Sequence, residues 1–294
     1  MKQVRGFTLI ELAIVLVIIT ILVGGLAMPL SAQIQARRIA ETKKTLEEAR
    51  EAIMGYAMSH TATPTTTCTC VYETDTTLDV VTPGSTCPVS LCPTTGTTTL
   101  TLPITRHYLP CPDAQTDSEP GVDNDGDGKL SDTNNGREDR KADGTCMQDA
   151  NAGNFPWVTL STAEQDAWGN RLRYATHADL TNKTKGFHNE SKPNPGDSWN
   201  KVCSTNDCSE VIADDVPVVL ISRGANGWGA LNINGNTLAT PTSSDELGNQ
   251  DADRRYVSRP PSKIDDAAGE FDDITTWLSF RVLLNRACPA GGCP

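Results

Sequence analysis

Hydrophobic and polar positions are distributed unevenly along this chain. From Phe7 to Leu30 the run is almost wholly apolar and carries one charge, Glu11. At about 1.5 Å per residue, a helix over that stretch is long enough to cross a bilayer. Further on, Ile39, Leu46 and Ile53 recur every seven residues, with Thr42, Ala49 and Tyr56 three places later. Arg37, Arg38, Glu41, Lys43, Lys44, Glu47, Glu48, Arg50 and Glu51 occupy the other faces. The spacing predicts an amphipathic continuation of the same helix to about Ser59. Gly24, Gly25 and Pro29 interrupt the apolar half. Proline removes a backbone hydrogen bond and crowds the preceding turn, so a kink or local melting is expected over 20–29.

Beyond the helix the pattern changes. Residues 61–105 hold 18 threonines and four cysteines with little apolar periodicity, which predicts an irregular region or loose β-hairpins held by disulfides. Shorter strand signals follow. A Gly169-Asn170 turn precedes alternating apolar positions to Tyr174, residues 216–222 form a compact apolar run suited to a buried strand, and 223–227 form a turn. A late strand is predicted over 272–279. Trp157, Trp168, Trp228 and Trp277 are expected to anchor the core. The fold class is therefore α+β: a long N-terminal helix packed on a β-rich head.

Composition narrows the function. Only 37% of residues are hydrophobic, and the first thirty positions hold a large share of them. A net charge of −12 argues against a nucleic-acid binder, which needs a basic stripe to follow phosphates. No nucleophile elbow, phosphate loop, dinucleotide fingerprint or zinc-protease motif is present, so no enzyme is expected.

All ten cysteines lie beyond residue 67. Cys87/Cys92, Cys203/Cys208 and Cys288/Cys293 share a four-residue gap, and Cys68 and Cys70 form the one close pair. None of this matches zinc-knuckle spacing, so disulfides made in an oxidising compartment are expected. Spacing leaves their connectivity open. The three short-gap pairs and Cys111–Cys146 are the candidates.

One acidic stretch has metal-binding character. Asp123, Asp125 and Asp127 alternate, with Gly128 following, and match the first places of an EF-hand-type calcium loop spanning 123–134. Lys129 would offer its carbonyl and Ser131 a direct or water-mediated contact. The twelfth place is Asn134 rather than the bidentate Glu and completes the candidate ligand set, with Asp132, Glu138 or Asp139 as substitutes for the closing ligand. The alternative is a solvated acidic turn.

The N-terminus is more specific. A short basic leader, Met1 to Gly6, ends directly before the apolar run instead of placing a cleavage site after it, as a secretory signal does. The leader's positive charge keeps it on the cytoplasmic side. A carboxylate such as Glu11 in an apolar helix is costly unless paired. The run Gly6-Phe7-Thr8-Leu9-Ile10-Glu11 resembles the prepilin cleavage and methylation motif of type IV pilins and type II secretion pseudopilins. The resemblance implies cleavage between Gly6 and Phe7 by a prepilin peptidase and N-methylation of Phe7. It also implies pairing of Glu11 with the Phe7 amine of a neighbouring subunit, and identifies 20–29 as an extensible segment. The order Pro156-Trp157, Asp166-Ala167-Trp168-Gly169-Asn170, Ile221 to Gly227 and Asp272-Asp273-Ile274 further resembles the heads of large pseudopilin-like proteins.

The expected organisation is a leader over 1–6, a membrane and filament-core helix over 7–30 and an amphipathic half over 31–59. A Thr/Cys-rich insertion over 60–108 and a disulfide-stapled head over 109–294 follow. By resemblance the chain is a minor pilin or pseudopilin, passing once through the inner membrane with its head in the periplasm before entering a filament. Its implied partners are other pilins, the peptidase/methyltransferase and an inner-membrane assembly platform. The alternatives are a major pilin forming the filament shaft and a membrane-tethered extracytoplasmic binding protein.

Overall fold

A computed structural model of the chain describes residues 8–63, 65–70, 98–103, 105–115, 133–147, 152–187, 199–251 and 253–288; over 23–30, 65–70 and 98–103 only the backbone is described. Helix α1 runs unbroken from Leu9 to Ser59. It starts with a capping box: Thr8 Oγ1 accepts from the Glu11 N–H, and the Glu11 carboxylate accepts from the Thr8 N–H. This satisfies two of the amide groups that a helix N-terminus leaves open. The expected melting over 20–29 is not there. A proline forfeits one amide hydrogen bond, and the turns on either side of Pro29 keep the backbone helical.

The second half of α1 packs on the head. Thr42, Leu46, Ala49, Ile53, Tyr56 and Ala57 are buried, as the seven-residue stripe requires. Ile39, the first residue of the stripe, is 36% exposed because it faces an open groove between α1 and the head rather than the packed core. Lys44–Glu48 and Arg50–Glu47 ion pairs lie on the outer face.

After α1 the chain forms β1 (Thr61–Ala62), β2 (Thr65–Cys70), β3 (Thr98–Pro103), β4 (Arg106–His107) and β5 (Ala152–Asn154). Next come α2 (Trp157–Leu160), β6 (Arg173–Thr176), α3 (Ala178–Thr181), β7 (Asn200–Cys203), β8 (Val211–Val216) and β9 (Val218–Ser222). The last elements are α4 (Ser244–Gly248), β10 (Arg255–Val257), β11 (Ile274–Leu278) and α5 (Phe280–Ala287). In the Thr-rich region β2 pairs antiparallel with β3, Thr65 opposite Pro103 and Cys70 opposite Thr98. Residues 71–97 lie outside the described residues.

The central sheet has the order β11-β9-β6-β5, all antiparallel, and a second sheet has the order β10-β7-β8. Strand β9 is buried along its whole length. Val218 and Leu220 join the core formed with Leu46, Ile53, Leu109, Phe155, Trp199 and Leu283. Val219 and Ile221, on the other face, pack with Val202, Val216 and Tyr256. A strand covered on both faces reads as a continuous apolar run, not an alternating one. The run predicted as one strand over 216–222 is split at Pro217, which has no N–H for a ladder, so Val216 ends β8 and Val218 opens β9.

The tryptophan expectation holds in part: Trp157 and Trp277 pack, half-buried, against the two core clusters. Trp157, Trp168, Trp228 and Trp277 are only half-buried, and the fully buried indole is Trp199, 1% exposed and packed edge-on to Phe280 at 4.9 Å. A large ring is easily left with one edge at the surface, and Trp157 uses its face to hold the Arg171 guanidinium 4.0 Å from the ring centre.

Candidate functional site

Glu11 lies one turn into α1, where the helix projects free of the head. Its Oε2 accepts from both the N–H and the hydroxyl of Thr8, each at 2.8 Å. Among the described residues Oε1 takes no such bond, so the carboxylate is oriented from one side and open on the other. Leu9, Ile10, Leu12, Ile14, Val15, Leu16, Ile18 and Ile21 make up the rest of this projecting stretch, each about half to nine-tenths exposed. An apolar surface of this extent is not left to water and marks a membrane or protein contact. Among the described residues no helix is long and apolar enough to cross a membrane. The apolar stretch described with its side chains stops at Leu22. Gly6 and Phe7 lie outside the described residues.

The acidic loop is described only at its base. Asp123, Asp125, Asp127, Lys129, Ser131 and Asp132 lie outside the described residues. At the base Asn134, at φ 58°, donates its N–H to the Ala114 carbonyl at 3.0 Å, and its Oδ1 accepts from Asn154 at 2.6 Å. Buried Asp113 accepts from the Asn135 and Gly136 amides, while burial pushes its carboxyl up to about 7. Glu138 and Asp139, which the sequence offered as closing ligands, are engaged in this base. Glu138 accepts from Tyr56, from the Cys111 amide and from Arg140, and Asp139 accepts from the Ala114 amide.

Disulfides join Cys111 to Cys146, with Cα atoms 5.5 Å apart, and Cys203 to Cys208, at 5.1 Å. Cys288 is also disulfide-bonded, and no described cysteine is free. Cys87, Cys92 and Cys293 lie outside the described residues, as do the side chains of Cys68 and Cys70. The first bridge ties the strand-like Leu109–Asp113 segment, which meets α1 through the core, to the turn closing at Cys146.

One polar centre was not legible in the sequence. Glu246, Asp272 and Asp273 bring carboxylate oxygens within 4.8 Å of one another. Arg223 sits among them, 3.3 Å from Asp273 Oδ2, and also donates to the Glu246 and Asn249 carbonyls. Burial pushes Asp272 up to about 7 and Asp273 up to about 6, with the Arg223 charge pulling the latter back. Gly224, at φ 59°, lets the turn approach so closely that a Cβ there would collide with the Asp272 oxygens. These residues come from the β9 turn, α4 and the start of β11, so no local spacing could have flagged them.

Beside this centre a groove of about 550 Å³ opens between α1 and the head. Gln35, Ile39 and Lys43, one stripe of α1, form one wall, and Trp168, Pro260 and Ile274 form much of the other. Asp272 and Asp273 also line it.

No curated protein and no solved structure matches the chain significantly. Residues 1–27 match the prokaryotic N-terminal methylation motif. The chain therefore carries at its N-terminus, ahead of a β-rich head, the signature of type IV pilins and pseudopilins, which supports a pilin-like or pseudopilin precursor.

Proposed function

We propose that this chain is a minor pilin or pseudopilin, which primes, caps or decorates a type IV pilus-like or type II secretion filament. The observation that carries this reading is the division of α1: between Thr42 and Ala57 one stripe of the helix is buried in the head, whereas Leu9 to Leu22 are exposed on all sides around one carboxylate. A surface of this kind is stable first in a bilayer and then against the equivalent helices of other subunits. The proposed path is insertion with the leader in the cytoplasm, cleavage after Gly6, methylation of Phe7 and extraction into the filament. The half-engaged Glu11 carboxylate supports a role in docking, since Oε1 is open to the Phe7 amine of a neighbour and two opposite charges in an apolar setting are tolerable as a pair. The bulky head, with the β2–β3 hairpin strands added beyond α1, favours an occasional subunit over a uniform shaft. A calcium ion held by Asp123, Asp125, Asp127, the Lys129 carbonyl and Ser131 belongs to the same reading, with Asp132 available to close the shell because Glu138 and Asp139 are engaged in the loop base.

Mass spectrometry of the protein from sheared filaments tests it. The expected N-terminus is methylated Phe7, and Gly6→Val is expected to accumulate as uncut precursor. An intact Met1 terminus on assembled protein overturns the proposal. Glu11→Ala is expected to be cleaved and retained in membranes yet largely missing from filaments; normal incorporation would mean that head contacts set the stagger.

A further inference from the structure

We propose that Arg37 and Arg38 bind the phosphates of outer-leaflet phospholipids and so hold α1 at a fixed depth, with Glu11 and the cleavage point at the cytoplasmic face of the membrane. The inference rests on the prepilin reading above and names a further partner of the same helix. The apolar run ends at Leu30, and the first residue buried in the head is Thr42. Between them α1 forms a neck, residues 31–41, that is exposed throughout. Its charges are Arg37, Arg38 and Glu41. Among the described residues neither arginine makes an ion pair or a side-chain hydrogen bond, although Glu41 stands one turn away.

Position and direction select the partner. The helix is unbroken from Leu9 to Ser59, so at about 1.5 Å per residue Arg37 stands about 10 Å beyond Leu30. Side chains of a helix lean towards its N-terminus, and the N-terminus of α1 is the end in the bilayer. Both guanidiniums therefore lean down towards the headgroup layer, past Ile34, which is 46% exposed one turn closer to the membrane. Arginine stems lie along apolar surface at a membrane boundary while the charge stays at the interface. The forked guanidinium donors match phosphate oxygens in pairs. Neighbouring residues differ by about 100° around the axis, so the two arginines reach separate lipids.

Depth follows from length. Glu11 lies 26 residues before Arg37, about 39 Å along the axis, and a bilayer with its headgroups measures about 40–45 Å. With the arginines on the outer phosphates, Glu11 reaches the opposite interface and the Gly6–Phe7 bond falls on the cytoplasmic side. Without that stop, an outward slide draws the Glu11 carboxylate into hydrocarbon, where it is costly.

The test uses the uncleaved full chain, carbon-labelled at arginine Cζ, in vesicles of phosphatidylethanolamine and phosphatidylglycerol. Carbon–phosphorus dephasing in solid-state NMR reports guanidiniums that touch lipid phosphate. The dephased signal is expected to fall by more than half in Arg37→Gln with Arg38→Gln, the remainder belonging to Arg5 of the leader. Arg50→Gln, in the half of α1 that packs on the head, is expected to leave it unchanged. Prepilin peptidase added to the same vesicles is expected to cut the double Gln variant several-fold more slowly than wild type, and lysine at both positions to restore the rate. Cleavage of the double Gln variant at the wild-type rate overturns the depth role. In detergent micelles with inorganic phosphate in place of lipid, Arg37 and Arg38 are expected to add no dephasing. Equal dephasing there makes the pair a general anion site and overturns the lipid assignment. A wild-type chain that is cut after Gly6 but loses no dephasing in the double variant overturns this contact alone. A wild-type chain that the peptidase leaves uncut overturns the prepilin reading and the contact with it.

Discussion

The Tyr56 hydroxyl on α1 donates to Glu138 Oε1 at 2.7 Å, across 82 residues of sequence. The bond joins the last turns of the long helix to the base of the acidic loop. Glu138 Oε2 accepts from Cys111 and Arg140 on its other side, so one carboxylate links helix, disulfide segment and loop base. Burial and the Glu138 charge together hold the phenol far above its usual range, so it stays protonated and donates to the carboxylate.

Tyr56→Phe is expected to leave the fold intact and to cost about 1–3 kcal/mol, because a partly buried carboxylate oxygen loses its donor. Chemical denaturation of the purified full chain in detergent measures it. Tyr56→Phe combined with Glu138→Gln should cost less than the sum of the single changes, since both remove the same bond. Strict additivity would show that the pair is not coupled.

The two bridges should differ in weight. Cys111–Cys146 spans 35 residues and Cys203–Cys208 spans 5. If restriction of the unfolded chain dominates, removing the longer bridge costs about 4 kcal/mol and the shorter about 2 kcal/mol. Paired Cys→Ala variants compared by thermal melting check the order. An equal loss from both would place the effect in the native state instead.

Asp272 and Asp273 make stability depend on pH in a defined direction. Their folded values, about 7 and about 6, stand above the ordinary aspartate value of 3.8. The folded chain therefore retains protons that the unfolded chain releases. This contribution is fully present below about pH 4 and is lost as pH rises through 6 to 7. Asp272→Asn, which keeps the shape and removes the charge, should raise the melting temperature relative to wild type at pH 8 and change it less at pH 5. A larger benefit at pH 5 than at pH 8 would refute the assignment.

Calcium is expected to raise the melting temperature of the full chain by an amount set by free calcium over the dissociation constant. With Asn134 engaged by Asn154 and no Glu at the closing place, affinity should be weak, about 10⁻⁴–10⁻³ M. Magnesium should do less, because it demands a tighter octahedral shell. Asp125→Ala and Asp127→Ala serve as controls in calorimetry. No heat and no thermal shift at several millimolar calcium would make the stretch a solvated turn.

The sequence by itself determined the features that depend on local order. The leader ending at Gly6, the charge at Glu11 and the seven-residue stripe through Leu46 and Ile53 are periodic or contiguous, and a helix converts such spacing directly into a face. The late strand over 274–278 and the candidate bridges Cys111–Cys146 and Cys203–Cys208 were legible for the same reason, although spacing alone could not choose among pairings. Tertiary structure decided what depends on neighbours distant in sequence. It buried Trp199 most deeply of the five indoles, edge-on to Phe280 of α5, while Trp157 and Trp277 pack only partly against the cores. It made 218–222 a strand covered on both faces and ended its predecessor at Pro217. It also drew Arg223, Glu246, Asp272 and Asp273 from three separate segments into one charged centre beside a groove. Those residues share no spacing, and a pattern read along the chain cannot register a juxtaposition that exists only after the sheet has formed.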